Sequence, residues 1–189
     1  MTKPYEKASI SHVSSPFQAL EQYRDMAHEG TDFWFDGCYG TPLLAPEDCI
    51  VEKIVTPNKL YSSDDPEYLK KLNNGYGILL RAKGYRHLYW HCMGIFPVFE
   101  GENAPRGKIV AFLGNSGQVY RDGKFVPLSI RHEKPYMGAH LHYELWDMSG
   151  KKLDVAKYID WLTPVKMKPL DVLTSVKVIL LKMLALLKK

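Results

Sequence analysis

The chain has 189 residues, 46% of them apolar and 24% charged, an ordinary globular composition that fits one sizeable core rather than two independent domains. Its net charge of +4 is unevenly placed: residues 164–189 carry six lysines against Asp171 alone, leaving 19 basic against 20 acidic residues elsewhere. A near-neutral body with a basic tail carries no broad nucleic-acid footprint. Three cysteines (Cys38, Cys49 and Cys92) with no C-x-x-C spacing exclude a disulfide framework and an all-thiolate metal site.

In chain order, the opening MTKPYEKASISHVSSPF has no apolar h-region, which predicts no secretory signal. Next comes AHEGTDFWFDGCYGTP, with His28 and Asp32 at i and i+4. On a helix this pair would be an ordinary capping or ion-pair arrangement. Gly30 between them, the aromatic run 33–35, and the breakers Gly37, Gly40 and Pro42 favour a strand entered through a tight glycine turn. Short β-prone runs follow at 48–55, 76–82, 87–93, 108–114 and 140–146, separated by Gly and Pro; such spacing predicts an antiparallel β-sandwich or open barrel. One interruption, DDPEYLKKLNN at 64–74, reads as a short inserted helix with Asp65 as cap and Pro66 at the first helical position. Residues 118–139 form a long polar connection, suited to a lid or a groove wall.

The run GAHLHYELW at 138–146 places His140 and His142 one residue apart. A strand turns alternate side chains to one face, so His140, His142 and Glu144 would share one face and Leu141, Tyr143 and Leu145 the other. In HLYWHCM, His87, Tyr89 and His91 would likewise share a face, and one of these histidines can approach the same centre. Imidazole nitrogen and carboxylate oxygen are zinc ligands, and a catalytic zinc takes three protein ligands with one position open. His28, Asp32 and one histidine of the 140/142 pair would supply that number. From Pro164 the chain is rich in helix formers and lacks Gly. The segment 165–189 reads either as a helix packed on the body or on a second copy, or as a cationic amphipathic helix on an anionic envelope surface.

Taken together, HEGTD, GTPLLAP, LYWH, PRGKIVAFLGNSG and GAHLHYEL, in this order and spacing over residues 10–164, resemble the lysostaphin/LytM-type zinc endopeptidases. The resemblance implies the duplicated hybrid motif β fold for residues 10–164, preceded by a segment 1–9. It implies one Zn2+ per chain, held by His28, Asp32 and His142. His140 and His91 match the family's two catalytic histidines, one a general base and the other a donor to the oxyanion or leaving amine. Tyr23 is the candidate for the tyrosine that some members aim at the transition state. Glu144, on the same strand face, is a candidate to orient a ligating imidazole. SSPF at 14–17 resembles the family's first strand, with Gln18 where the usual residue is Gly.

The implied substrate is bacterial peptidoglycan, at its cross-bridges or stem peptides. Two other functions share the architecture: a catalytically silent cell-wall binding or regulatory module, and a phosphocarrier domain. The phosphocarrier has no use for an H-x-H strand supplying a third metal ligand. An enzyme of the cell wall without an export signal is expected to be released by lysis, carried in a virion as a phage-type lysin, or exported by an unrecognised route.

Overall fold

The structure is a computed structural model and describes residues 1–5, 12–21, 26–57 and 75–160. Tyr23, the inserted helix expected at 64–74 and the segment 165–189 lie outside the described residues. The elements, in order, are β1 (His12–Ser15), β2 (Thr31–Trp34), β3 (Pro42–Leu44), β4 (Cys49–Val55), β5 (Tyr76–Arg81) and β6 (Tyr85–Cys92). They continue with β7 (Asn103–Ala104), β8 (Ile109–Phe112), β9 (Tyr120–Arg121), β10 (Lys124–Phe125), α1 (Leu128–Glu133), β11 (Leu141–Asp147) and β12 (Lys152–Leu153). A single 3-10 turn follows at Val155–Lys157. Each of the five β-prone runs contains a strand, and the mainly antiparallel β architecture is the one expected. Among the described residues no helix is long and apolar enough to cross a membrane.

One sheet dominates. Its order is β1-β2-β11-β6-β5-β4-β7, with β12 also paired to β11, and every named pairing within it is antiparallel. β11 therefore sits inside the sheet, bonded to β2 on one side and to β6 on the other. Its alternation sorts the chemistry. Leu141, Tyr143 and Leu145 are fully buried with Phe33, Tyr89, Ile78 and Leu80 in one large apolar cluster, which Leu43, Val110 and Ala111 of the β3–β8 ribbon join. Tyr89 ties the layers by donating its hydroxyl to Leu44 O at 2.9 Å. Burying a side chain of this size contributes about 1.5–3 kcal/mol, so the register of β11 is strongly specified.

The connection at 118–139 is more structured than a polar lid. It folds into the β9–β10 hairpin and α1, and Val119 and Val126 are buried where they press on Gly138, at which an added Cβ would lie 2.7 Å from Val119 Cγ2.

The turn at 16–19 shows why Gly is the usual residue at position 18. Gln18 has φ +62°, in the left-handed region that costs a side-chain-bearing residue roughly 1–2 kcal/mol. The conformation lets Gln18 N donate to His28 O at 2.8 Å and His28 N donate to Ala19 O at 3.0 Å. Replacing Gln18→Gly relieves the strain at some cost in chain entropy. A net gain of about 0.5–1 kcal/mol is expected, read by calorimetry as a Tm increase of about 1–4 °C. An unchanged or lower Tm would show that the glutamine side chain compensates the strain.

Candidate metal centre

The antiparallel pairing of β2 with β11 sets Asp32 opposite His142, with Phe33 opposite Leu141 and Thr31 opposite Tyr143. Because the flanking pairs face the core, Asp32 and His142 both face the other side. His28 enters from the turn before β2. Three donor atoms converge: Asp32 Oδ1 lies 2.8 Å from His142 Nδ1 and 3.1 Å from His28 Nε2, and the two histidine nitrogens are 2.9 Å apart. All three residues are buried, and they form a group able to hold a metal ion.

Both imidazoles are oriented from behind. His28 Nδ1 lies 2.9 Å from Ser15 Oγ and 3.0 Å from Pro16 O; donation to the carbonyl puts the proton on Nδ1 and leaves Nε2 as a lone pair facing Asp32. His142 Nε2 faces Glu144 Oε1 at 3.4 Å, which favours the proton there and leaves Nδ1 towards the centre. Glu144 is itself buried. Its oxygens accept hydrogen bonds from Trp90 Nε1 and Trp146 Nε1, each at 3.0 Å, and an ion pair from Lys152 at 2.9 Å. Lys152 also pairs with Glu29 at 2.8 Å. Its place on the same strand face as His142 suggested Glu144. Of the groups that hold it, Trp146 lies two residues on along β11, whereas Trp90 comes from β6 and Lys152 from β12, which pairs with β11, and spacing gives no sign of these two.

Three lone-pair donors this close repel one another unless positive charge lies between them, and the titration tendencies agree. Burial alone would raise Asp32, but the charge of His140 and the hydrogen bonds from His142 and His28 outweigh it and hold the carboxyl well below its usual range. Burial would lower His142, yet the hydrogen bond and charge of Asp32, with Glu144, push it up to about 9. Glu144 is drawn down to about 2 against its burial, by His142 and Lys152. The three residues form a group that could hold a cation, and its nitrogen–oxygen donor set is one that zinc accepts.

His140 and His91 stand beside this cluster. Their rings are 4.5 Å apart between centroids, and His91 lies 6.0 Å from His142. His140 Nε2 is 3.7 Å from Asp32 Oδ2, and its Nδ1 is 2.9 Å from Gly138 O. His91 Nδ1 donates to Ser116 O at 2.7 Å. Burial, then the charges of His140 and His142, hold His91 well below the ordinary histidine range.

The route of His91 to this face corrects the simple strand reading. On a regular strand it would follow His87 and Tyr89 into the core. His87 does lie in the core, between Tyr143 Oη at 2.7 Å and Glu47 Oε1 at 2.8 Å. Between Tyr89, paired with Ile78, and Cys92, paired with Tyr76, β6 has one residue more than β5. This bulge, with His91 at φ +60°, re-aims the imidazole to the face of His142. Gly77 makes room opposite it: an added Cβ there would meet the Trp90 ring at 2.4 Å.

No family model matches the sequence, and no curated protein matches it. Solved structures do. LytU is 20% identical with a TM-score of 0.55, over 80% of this chain and 86% of LytU. The catalytic domain of the antimicrobial peptidase lysostaphin from Staphylococcus simulans is 18% identical with a TM-score of 0.50, over 78% of this chain and 88% of that domain. The fold is that of the lysostaphin/LytM-type peptidases. A zinc-containing peptidase from Vibrio cholerae is 19% identical with a TM-score of 0.55 over 81% of this chain, which spans 38% of that protein.

Within this lysostaphin-type fold Gly30 leaves no room for a side chain beside the cluster: a Cβ would stand 2.7 Å from His142 Nε2 and 2.8 Å from Tyr143 O. Gly30→Ala is expected to displace the imidazole. Affinity for a metal ion held there should fall about 10–100-fold and stability by about 1–3 kcal/mol, read by chelator competition and thermal melts. Glu144→Gln keeps the shape but removes the charge behind His142. It should weaken metal binding by about 10–100-fold with little change in the far-ultraviolet dichroism, and unchanged affinity would leave Glu144 without an orienting role.

Proposed function

We propose that this chain is a zinc-dependent endopeptidase that hydrolyses amide bonds in peptidoglycan cross-bridges or stem peptides. The observation that carries the reading is the convergence of His28 Nε2, Asp32 Oδ1 and His142 Nδ1 within 2.8–3.1 Å, with two further imidazoles against the same cluster. A phosphocarrier needs no such third donor. The lysostaphin-type fold supports a peptide substrate in the bacterial wall.

His28, Asp32 and His142 would hold the metal, whose chemistry there is Lewis acidity towards a carbonyl and a water. The remaining work falls to His91 and His140. Both are anchored through Nδ1 to a backbone carbonyl, Ser116 O and Gly138 O respectively, so each works through Nε2. One accepts the proton of the attacking water and the other donates to the oxyanion or leaving amine. The split needs two imidazoles side by side, as the 4.5 Å ring separation provides. Glu144 and the Ser15–Pro16 segment keep the two ligating imidazoles turned inward. In this reading the basic segment 165–189 brings the enzyme to an anionic envelope surface or to a second copy. The route to the wall is lysis, a virion or an unrecognised export path.

Mass spectrometry of fragments released from purified peptidoglycans of several cross-bridge types tests the reading. The wild-type protein should release new peptide termini, lose this activity to a chelator and regain it with zinc. His142→Ala should bind no zinc and release nothing. His91→Ala and His140→Ala should keep zinc while kcat falls about 10²–10⁴-fold. A wild-type chain that neither binds zinc nor releases termini would instead be a silent wall-binding module.

A further inference from the structure

We propose that Arg131 is a positioning residue for His91, acting through the loop whose carbonyl holds the imidazole. The inference rests on the reading of His91 as a proton-transfer group. It starts from an oddity of α1, where the one buried residue is an arginine, only 5% exposed. A buried guanidinium is costly unless its donors are matched. Two of those donors, both on Nη1, are matched, by Asn115 O at 2.7 Å and Gly117 O at 2.9 Å. These two carbonyls flank Ser116, and Ser116 O is the acceptor for His91 Nδ1. One planar nitrogen with two N–H groups thus clamps both sides of the peptide unit that fixes the tautomer and orientation of His91.

The rest of the loop is braced in the same sense. Ser116 Oγ accepts from Tyr76 N at 2.9 Å, on the strand opposite the bulge. Asn115 Nδ2 donates back to Pro135 O and Met137 O in the connection that carries Arg131. Gly114 lies so close to β6 that a Cβ would come within 2.9 Å of His91 O. The same connection ends at Gly138, whose carbonyl holds His140. Residues 118–139 are therefore a scaffold for both proton-transfer imidazoles, joined to His91 by Arg131. None of these contacts touches His28, Asp32 or His142, so the effect of Arg131 should fall on proton transfer and leave metal binding alone.

The test compares zinc-loaded wild type with Arg131→Met and Arg131→Lys by two readouts. The first is solvent exchange of the His91 Nδ1–H proton in histidine-labelled protein, followed by NMR, which needs no substrate. Arg131→Met should exchange at least tenfold faster than wild type with the His28 signal unmoved. Arg131→Lys, which keeps the charge but not the fork, should be intermediate. The second is turnover on whichever peptidoglycan the wild type cleaves. In Arg131→Met kcat should fall about 10–100-fold, with KM and zinc stoichiometry unchanged and partial recovery in Arg131→Lys. An unchanged exchange rate in a folded Arg131→Met overturns the proposal, as does a loss of zinc in step with activity. Should Arg131→Met not fold, the lysine variant decides: faster exchange supports the clamp, and a wild-type rate overturns it. A wild type that cleaves no wall defeats the enzymatic reading, while the exchange measurement still decides the role of Arg131.

Discussion

A single cross-strand register, Asp32 opposite His142, is the constraint on which the centre depends. Side chains alternate along both strands, so a slip of one residue would carry His142 into the core and turn Tyr143 towards the metal site. The core prevents the slip. Tyr143 packs edge-on against Tyr89 with ring centroids 4.8 Å apart, and Leu141 and Leu145 are fully buried on either side. Metal-site geometry is thus held by apolar packing on the opposite face of the same strand. A metal ion held there would need only three residues, and the cost of keeping them together is spread over a face of the sheet.

How much of this was legible in the sequence follows from how local each feature is. The alternation in GAHLHYELW gave both the burial of Leu141, Tyr143 and Leu145 and the shared face of His142 and Glu144, because a period of two belongs to the strand itself. Gly30 was readable as a turn residue but not as a spacer. Its deciding neighbour is the His142 ring, more than a hundred positions away in the chain. Resemblance put His91 with His140 and His142, beside which the structure has it, while its strand pattern alone would have sent it into the core. The bulge that redirects it arises from pairing with β5 at Gly77. Lys152 and Trp90 gave no signal, since nothing in a lone lysine or indole announces a carboxylate contributed by another strand. Trp146, two residues after Glu144 on the same strand, was within reach of the alternation but was not singled out. Arg131 was hidden in a connection read as a polar lid.

The two places where a residue with a side chain takes a left-handed backbone next to the site, Gln18 and His91, fit the tendency of strain to gather where function fixes geometry. They differ in kind. Gln18 shapes the turn that bonds the His28 backbone and presents Pro16 O to its Nδ1, so glycine would serve equally well. His91 must keep its imidazole, and its conformation is held by the surrounding contacts: Gly77 on one side, Gly114 on the other, and the Ser116 carbonyl on the ring. Strain at a replaceable residue is a stability cost, whereas strain at His91 accompanies its placement.

The hydrogen bonds around the centre divide it into two supports that share no atom. His28 and His142 are backed by the β1 turn and by Glu144 with its indoles and Lys152. His91 and His140 are backed by carbonyls at the two ends of residues 114–138. The first support uses a carboxylate on His142 because a ligand benefits from raised basicity. The second uses neutral backbone oxygens, which fix an imidazole's orientation without adding charge, as would suit the proton transfer proposed for these two residues. The two sets of imidazoles meet at Asp32, whose Oδ1 faces the ligating pair and whose Oδ2 faces His140. Through this carboxylate, and through the edge-on contact of His91 with His142, a change at the three-donor cluster reaches His91 and His140 directly.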